Sequence, residues 1–229
     1  AVIDFHSHIL PGIDDGSKSV DMSMEMLKME LEQGVQIMLA TPHFYASRHR
    51  VEDFLEKRQK SYERLLERKG DFGPELKLGA EVAFFSGISR ADRIESLLIE
   101  DSRAMLLEMP FEPWSEKMID EVRDLLINRD IQIILAHLER YMGFAENRKK
   151  IERLYVQINA ETLLSWKKRR TILKMFNQRK AHFLGSDCHR IEKREPNLGK
   201  GRAVLQKKFG EAFLQEMDEM GSRLLHLGG

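Results

Sequence analysis

Val2-Ile3-Asp4-Phe5-His6-Ser7-His8 is a short apolar run that closes on two histidines set two residues apart. Residues i and i+2 of a strand project to the same face, so a strand here delivers two imidazoles side by side at its C-terminal end. The pattern recurs outward along the chain. After the run at 2–5, further apolar or β-branched runs occupy residues 35–40, 76–80, 104–107, 131–136, 155–158 and 182–184. Charged stretches with helical spacing separate most of them. In residues 51–69, for example, Phe54, Leu55, Arg58, Tyr62, Leu65 and Leu66 mark one face; residues 21–33 read as the first helix, stopped by Gly34. Such alternation predicts parallel strands joined by right-handed crossovers.

The residues at or just past the ends of these runs are His6 and His8, Thr41-Pro42-His43, Glu81, Glu108, His137, Asn159, and Asp187 with His189. Nearly every expected strand therefore ends in a metal-ligand type. In a closed parallel barrel those ends converge on one face, where such barrels build active sites. His49, His182 and His226 fall outside the pattern and read as surface or structural histidines.

Composition narrows the rest. A chain of 229 residues with 42% hydrophobic content can form one large domain, expected here over 1–229. Thirty-seven basic residues balance 37 acidic ones, so no global field draws nucleic acid or anionic lipid, and any anion binding must be local. The run Lys167-Lys168-Arg169-Arg170 reads as a solvated helix face. No stretch approaches the roughly 18 apolar residues of a membrane span and no leader precedes Val2, which leads us to expect a cytoplasmic protein without membrane insertion. Cys188 is the single cysteine, which excludes an intramolecular disulfide.

Seven motifs in series, His6-Ser7-His8 with Leu10-Pro11-Gly12-Ile13-Asp14-Asp15-Gly16, Ala40-Thr41-Pro42-His43, Gly79-Ala80-Glu81-Val82, Leu107-Glu108-Met109-Pro110, Ala136-His137-Leu138-Glu139-Arg140-Tyr141, Gln157-Ile158-Asn159 and Gly185-Ser186-Asp187-Cys188-His189, resemble the polymerase-and-histidinol-phosphatase family. More narrowly they resemble its manganese-dependent bacterial protein-tyrosine phosphatases of capsule and exopolysaccharide operons. The resemblance implies a distorted, TIM-like (β/α)7 barrel with three divalent ions, manganese foremost, with iron, magnesium or zinc as alternatives. It assigns His6, His8, Glu81 and Asp187 to one ion. Glu81, Glu108 and His137 go to a second, and Asp14, His43 and His189 to the third. Arg140 and Arg194 match arginines that hold phosphate, a task the guanidinium fork suits. A hydroxide bridging two ions would attack phosphorus, with Asp15 or Glu161 open as general acid or as the orienter of a ligand histidine. The implied substrate is a phosphotyrosine protein, the tail of a bacterial tyrosine kinase that controls polysaccharide export.

Three rivals remain. Cys188 and Arg194 satisfy a literal Cys-x5-Arg, yet the loop between them contains no glycine, Glu195 follows the arginine, and Cys188 should point away from Asp187 and His189. A small-molecule phosphatase of the same family, acting on histidinol phosphate, would need an enclosed pocket. A metal-stabilised module that docks on a kinase without catalysis is the third, and the complete ligand set argues against it.

Overall fold

Each of the seven apolar runs forms a strand in the computed structural model, which describes residues 1–141, 147 and 153–227. In chain order the strands are β1 (Ile3–Ser7), β2 (Ile37–Ala40), β3 (His43–Phe44), β4 (Glu75–Leu78), β5 (Glu81–Ala83), β6 (Ala104–Glu108), β7 (Gln132–Leu135), β8 (Tyr155–Asn159) and β9 (Phe183–Gly185). All their pairings are parallel: β1-β2-β4 form one sheet and β3-β5-β6-β7-β8-β9 the other.

The two sheets are one curled surface. Pro42 has no N–H to donate, so the ladder breaks between β2 and β3. Gly79 N–H nevertheless donates to the Ala40 carbonyl at 2.9 Å and Glu81 N–H to the Pro42 carbonyl at 3.0 Å, carrying the pairing through the break. β3 and β5 are thus continuations of β2 and β4, and the strands occupy seven barrel positions among the described residues. Asp187 N–H donates to the His6 carbonyl at 2.8 Å and His8 N–H to the Cys188 carbonyl at 2.9 Å, which joins the last strand to the first and closes the barrel.

Helices α1 (Val20–Glu32), α2 (Val51–Lys69), α3 (Glu116–Ile127), α4 (Ala160–Leu164), α5 (Arg169–Asn177), α6 (Leu198–Phe209) and α7 (Glu211–Leu224) follow the strands. Ser19 caps α1 by accepting the Met22 N–H, an interaction worth about 1 kcal/mol. α1 presents Met26 and Leu27 to an apolar cluster that also holds Ile9, Leu10, Met38, Leu65 and Cys188. A larger core fills the remaining strands, where Phe5 stacks on Phe183 at 4.0 Å between ring centroids. Every strand residue from Ile3 to Ser7 is buried, so β1 is fixed on both faces and its C-terminal histidines inherit that rigidity.

Candidate metal centre

The C-terminal ends of the strands bring His6, His8, Glu81 and Asp187 together, with one ligand atom of each lying within 4.8 Å of the others. All four are buried. Two more groups adjoin them at the same spacing: Glu81, Glu108 and His137 on one side, and His8, Asp15, His43 and His189 on the other. Register explains the convergence, because His43 on β3 stands opposite Glu81 on β5, and Ala83 of β5 opposite Glu108 on β6.

Three of the buried histidines are aimed by a partner behind the ring, whereas His137 Nδ1 is buried without a hydrogen-bond partner among the described residues. His6 Nδ1 lies 3.0 Å from Gln157 Oε1, His8 Nδ1 lies 2.8 Å from Asp14 Oδ2, and His189 Nδ1 lies 2.7 Å from the Asp187 carbonyl. An Nδ1–H donated to each of these acceptors leaves the Nε2 lone pair facing inward, the arrangement that metal-binding histidines use. The Nε2 atoms of His6 and His8 consequently approach within 3.2 Å of one another, and both lie close to Glu81 Oε2 and Asp187 Oδ1. His189 Nε2 is buried without a hydrogen-bond partner, although Asp15 Oδ1 lies 3.4 Å away. A cation between these donors would satisfy them all.

Charge points the same way. Burial raises the pKa of Asp187 and Glu81, but the neighbouring imidazoles outweigh it and hold both carboxyls well below the usual range. Burial pulls His137 down, and hydrogen bonds to Glu108 and Glu81 reverse this and lift it to about 9; His8 is lifted likewise. Anions that stabilise positive charge on their neighbours form a site that attracts cations.

Asp14 and Asp15 divide the work. The carboxylate of Asp14, expected beside His43 and His189, turns instead to His8 and also accepts N–H bonds from Gly16 at 2.9 Å and His43 at 3.1 Å. Burial raises its pKa, but the His8 hydrogen bond prevails and sets it at about 2. Asp15 supplies the carboxylate that faces His43 and His189, at 3.3 and 3.4 Å. Gly16 is required here, since a Cβ on it would lie 2.4 Å from the His8 carbonyl oxygen. Arg190 secures the same loop by donating to the carbonyls of Asp15 and Gly16.

The remaining expected residues fall at the rim. Arg140 Nη2 lies 2.9 Å and Arg194 Nη1 3.3 Å from the same oxygen, Oδ2 of Asp187, and Asn159 Nδ2 donates to that oxygen at 2.8 Å. His137, Asp187 and Arg194 all have positive φ, at 33°, 50° and 59°. Such backbone is costly for side chains with a Cβ, and it clusters where geometry serves a site. Of the aromatic residues that follow His43 and Glu108 in the chain, Phe44 and Trp114 are buried, while Phe111 is 51% exposed and stacks on Tyr141 at 5.4 Å, beside His137. Tyr45 stacks on His43 at 5.3 Å. Cys188 points into the apolar cluster behind the site, where burial pushes its thiol well above the ordinary range. That is unlike an activated nucleophile. Glu161 is exposed on α4.

Gln157 does more than spacing indicates. Its Oε1 accepts both the His6 ring N–H and the His137 backbone N–H, and its amide donates to Asn159. The period-two pattern of β8, Gln157 and Asn159 on one face, is the signal that locates it.

Comparison with known proteins converges on one group. A family profile described as "Capsular polysaccharide synthesis, CpsB/CapC" matches residues 2–222. The chain is 26% identical to the tyrosine-protein phosphatase CpsB of Streptococcus pneumoniae, covering 94% of each protein. It is 28% identical to the tyrosine-protein phosphatase YwqE of Bacillus subtilis (strain 168), covering 98% of this chain and 91% of that protein. Its fold matches a solved chain reported as "Crystal structures of YwqE from Bacillus subtilis and CpsB from Streptococcus pneumoniae, unique metal-dependent tyrosine phosphatases". The TM-score is 0.85 at 25% identity, over 100% of this chain and 96% of that one.

Proposed function

The chain belongs to the CpsB/CapC family of capsular polysaccharide synthesis proteins, and from that premise we infer that it is a metal-dependent protein-tyrosine phosphatase. The observation that carries this reading is the convergence of Arg140 and Arg194 on one oxygen of Asp187, directly beside the buried ligand cluster. Two guanidinium forks held there can each present donors to the oxygens of a phosphate.

We propose that three divalent ions occupy the site, with manganese the native one. His6, His8, Glu81 and Asp187 would hold the first, Glu81, Glu108 and His137 the second, and His43, His189 and Asp15, in place of Asp14, the third. Oxygen and imidazole donors without thiolate favour manganese, magnesium or iron over a purely zinc site. When bound, the ions supply charge neutralisation at phosphorus and a nucleophile at neutral pH.

The protein's own groups then do the rest. Asp14, Gln157 and the Asp187 carbonyl orient His8, His6 and His189, and Asn159 fixes Asp187, so the donors are in place before substrate arrives. Arg140 and Arg194 align the phosphate and balance charge on its oxygens. The half-exposed ring of Phe111 offers a face to the tyrosine ring beside His137. A phenolate leaving group, with a parent pKa of about 10, needs little help from a general acid.

The buried floor opens to a rim where the Asp15 side chain is 58% and the Arg140 side chain 39% exposed. Such a mouth admits a side chain presented on a protein and gives little enclosure to a small phosphomonoester such as histidinol phosphate. We propose as substrate the tyrosine-phosphorylated tail of a bacterial kinase governing polysaccharide export, met in the cytoplasm by a single domain spanning 1–229. Turnover of a phosphotyrosine peptide, a phosphoserine peptide and histidinol phosphate, compared at equal concentration with manganese, tests this. The phosphotyrosine peptide should react fastest; faster histidinol phosphate hydrolysis would move the assignment to a small-molecule phosphatase.

A further inference from the structure

Trp166 stands 82% exposed on the turn between α4 and α5, two residues after Leu164, which is 37% exposed. The other tryptophan, Trp114, is buried. A large aromatic ring left in water, with a second exposed apolar side chain two residues away and a groove holding Leu173 and Phe209 beside it, marks a contact surface.

What surrounds the ring identifies the cover. Lys167, Lys168, Arg169 and Arg170 follow it directly, all exposed, and Lys167 Nζ lies 5.4 Å from the indole centroid. A groove of about 560 Å³ beside the ring sets Leu173 and Phe209 among Arg169, Arg170, Lys174 and Lys208. Among the described residues none of these six cations has an ion-pair partner, and no carboxylate lines the groove. The whole chain has no net charge, so this face is a local concentration of positive potential. Arg169 also donates from Nε to the Leu163 carbonyl at 2.6 Å and from Nη2 to the Leu164 carbonyl at 3.3 Å, which fastens the turn and holds Leu164 and Trp166 outward.

We propose that this face is a docking surface for an anionic lipid bilayer, with Trp166 and Leu164 entering the headgroup region and the six cations lying against lipid phosphates. The proposal is independent of the phosphatase reading. Indole at the interface with lysine and arginine around it is the chemistry of peripheral membrane attachment. The cations are spread over the turn (Lys167, Lys168), α5 (Arg169, Arg170, Lys174) and α6 (Lys208) instead of forming a fork on one point, which suits a surface of many phosphates better than a single acidic side chain. No described helix is long and apolar enough to cross a membrane, so attachment would be at the surface. Trp166 lies seven residues from Asn159, whose side chain holds Asp187, so their Cα atoms are at most about 25 Å apart. Docking through this face would keep Asn159, which holds Asp187, within that reach of the Trp166 anchor.

The test uses metal-loaded protein with phosphatidylcholine vesicles, with and without phosphatidylglycerol. Cosedimentation and tryptophan emission are read together, because Trp166 alone among the two tryptophans is exposed. Binding to phosphatidylglycerol vesicles with a blue shift, suppressed by high salt, is expected. Trp166→Ser should remove the shift and weaken binding about tenfold, and Lys167→Ala with Lys168→Ala about fivefold per lysine. Both variants should hydrolyse a soluble phosphomonoester at the wild-type rate, which shows that they are folded. Equal binding to both vesicle types, or binding indifferent to these variants, would overturn the proposal. So would a glutamate-rich peptide that shifts Trp166 emission when vesicles do not, since the face would then serve a protein.

Discussion

Asp14 Oδ2 lies 2.8 Å from Nδ1 of His8, on the side of the ring turned away from the ligand cluster. The next residue, Asp15, turns the other way and meets His43 and His189. Adjacent aspartates thus face different partners, and in the proposed site one orients a histidine while the other offers a donor. Asp15→Ala should remove one ion from the protein, read as metal content per chain after desalting. Asp14→Asn should keep the full content and weaken manganese affinity by roughly 10- to 100-fold, the usual cost of losing an orienting partner. Equal metal content in the two variants would contradict this division.

Arg140 and Arg194 share Asp187 Oδ2, so each can be lost without unfolding the site. Arg140→Lys and Arg194→Lys keep the charge and lose the fork. Each should lower kcat for a phosphotyrosine peptide by about 100-fold, in the range seen when one transition-state donor is removed. Steady-state kinetics on both variants at saturating manganese checks it; wild-type rates would place the arginines outside the reaction.

Phe111 touches the substrate's ring in this account. Phe111→Ala should raise KM for a phosphotyrosine peptide about two- to tenfold, the worth of an aromatic pair, and leave an aliphatic phosphomonoester unaffected. A uniform loss on both substrates would show that the ring supports Tyr141 and His137 and makes no contact with the leaving group.

Behind the site, Glu30 on α1 is buried next to Asp4 and Cys188. Burial, and then the charge of Asp4, push its carboxyl well above the usual range. The folded protein therefore holds a proton that the unfolded chain releases. Above the ordinary carboxylate pKa the folded state binds more protons, so this group's contribution to stability is full at low pH and falls as pH rises. Glu30→Gln keeps the shape without titrating. Its stability relative to wild type, from denaturant unfolding at fixed manganese, should increase between pH 5 and pH 8; a difference that does not vary with pH would show Glu30 ionised in the fold.

All seven principal strands were legible because each couples an apolar run to a flanking helical period. β3 and β5, two and three residues long, are too short to show any period, and His43 and Glu81 therefore read as loop residues past strand ends. The convergence of the histidines was legible from their place after the runs. The choice between Asp14 and Asp15 was not, because an Asp-Asp-Gly turn has no periodicity to tell which side chain faces inward. Gln157 was hidden for another reason: an amide on a buried strand acquires a role only when the barrel closes and brings His6 to it. The basic run at 167–170 read as an ordinary solvated face, and only the exposure of Trp166 beside it distinguishes it from one.

Removing the metal separates metal-dependent chemistry from chemistry at the Cys188 thiol. Hydrolysis of a phosphotyrosine peptide should be followed with manganese and with chelator for wild type, His6→Ala and Cys188→Ser. Turnover should require manganese, survive Cys188→Ser and be lost in His6→Ala. Activity that persists in chelator and disappears with Cys188→Ser would contradict this and assign the chemistry to the thiol.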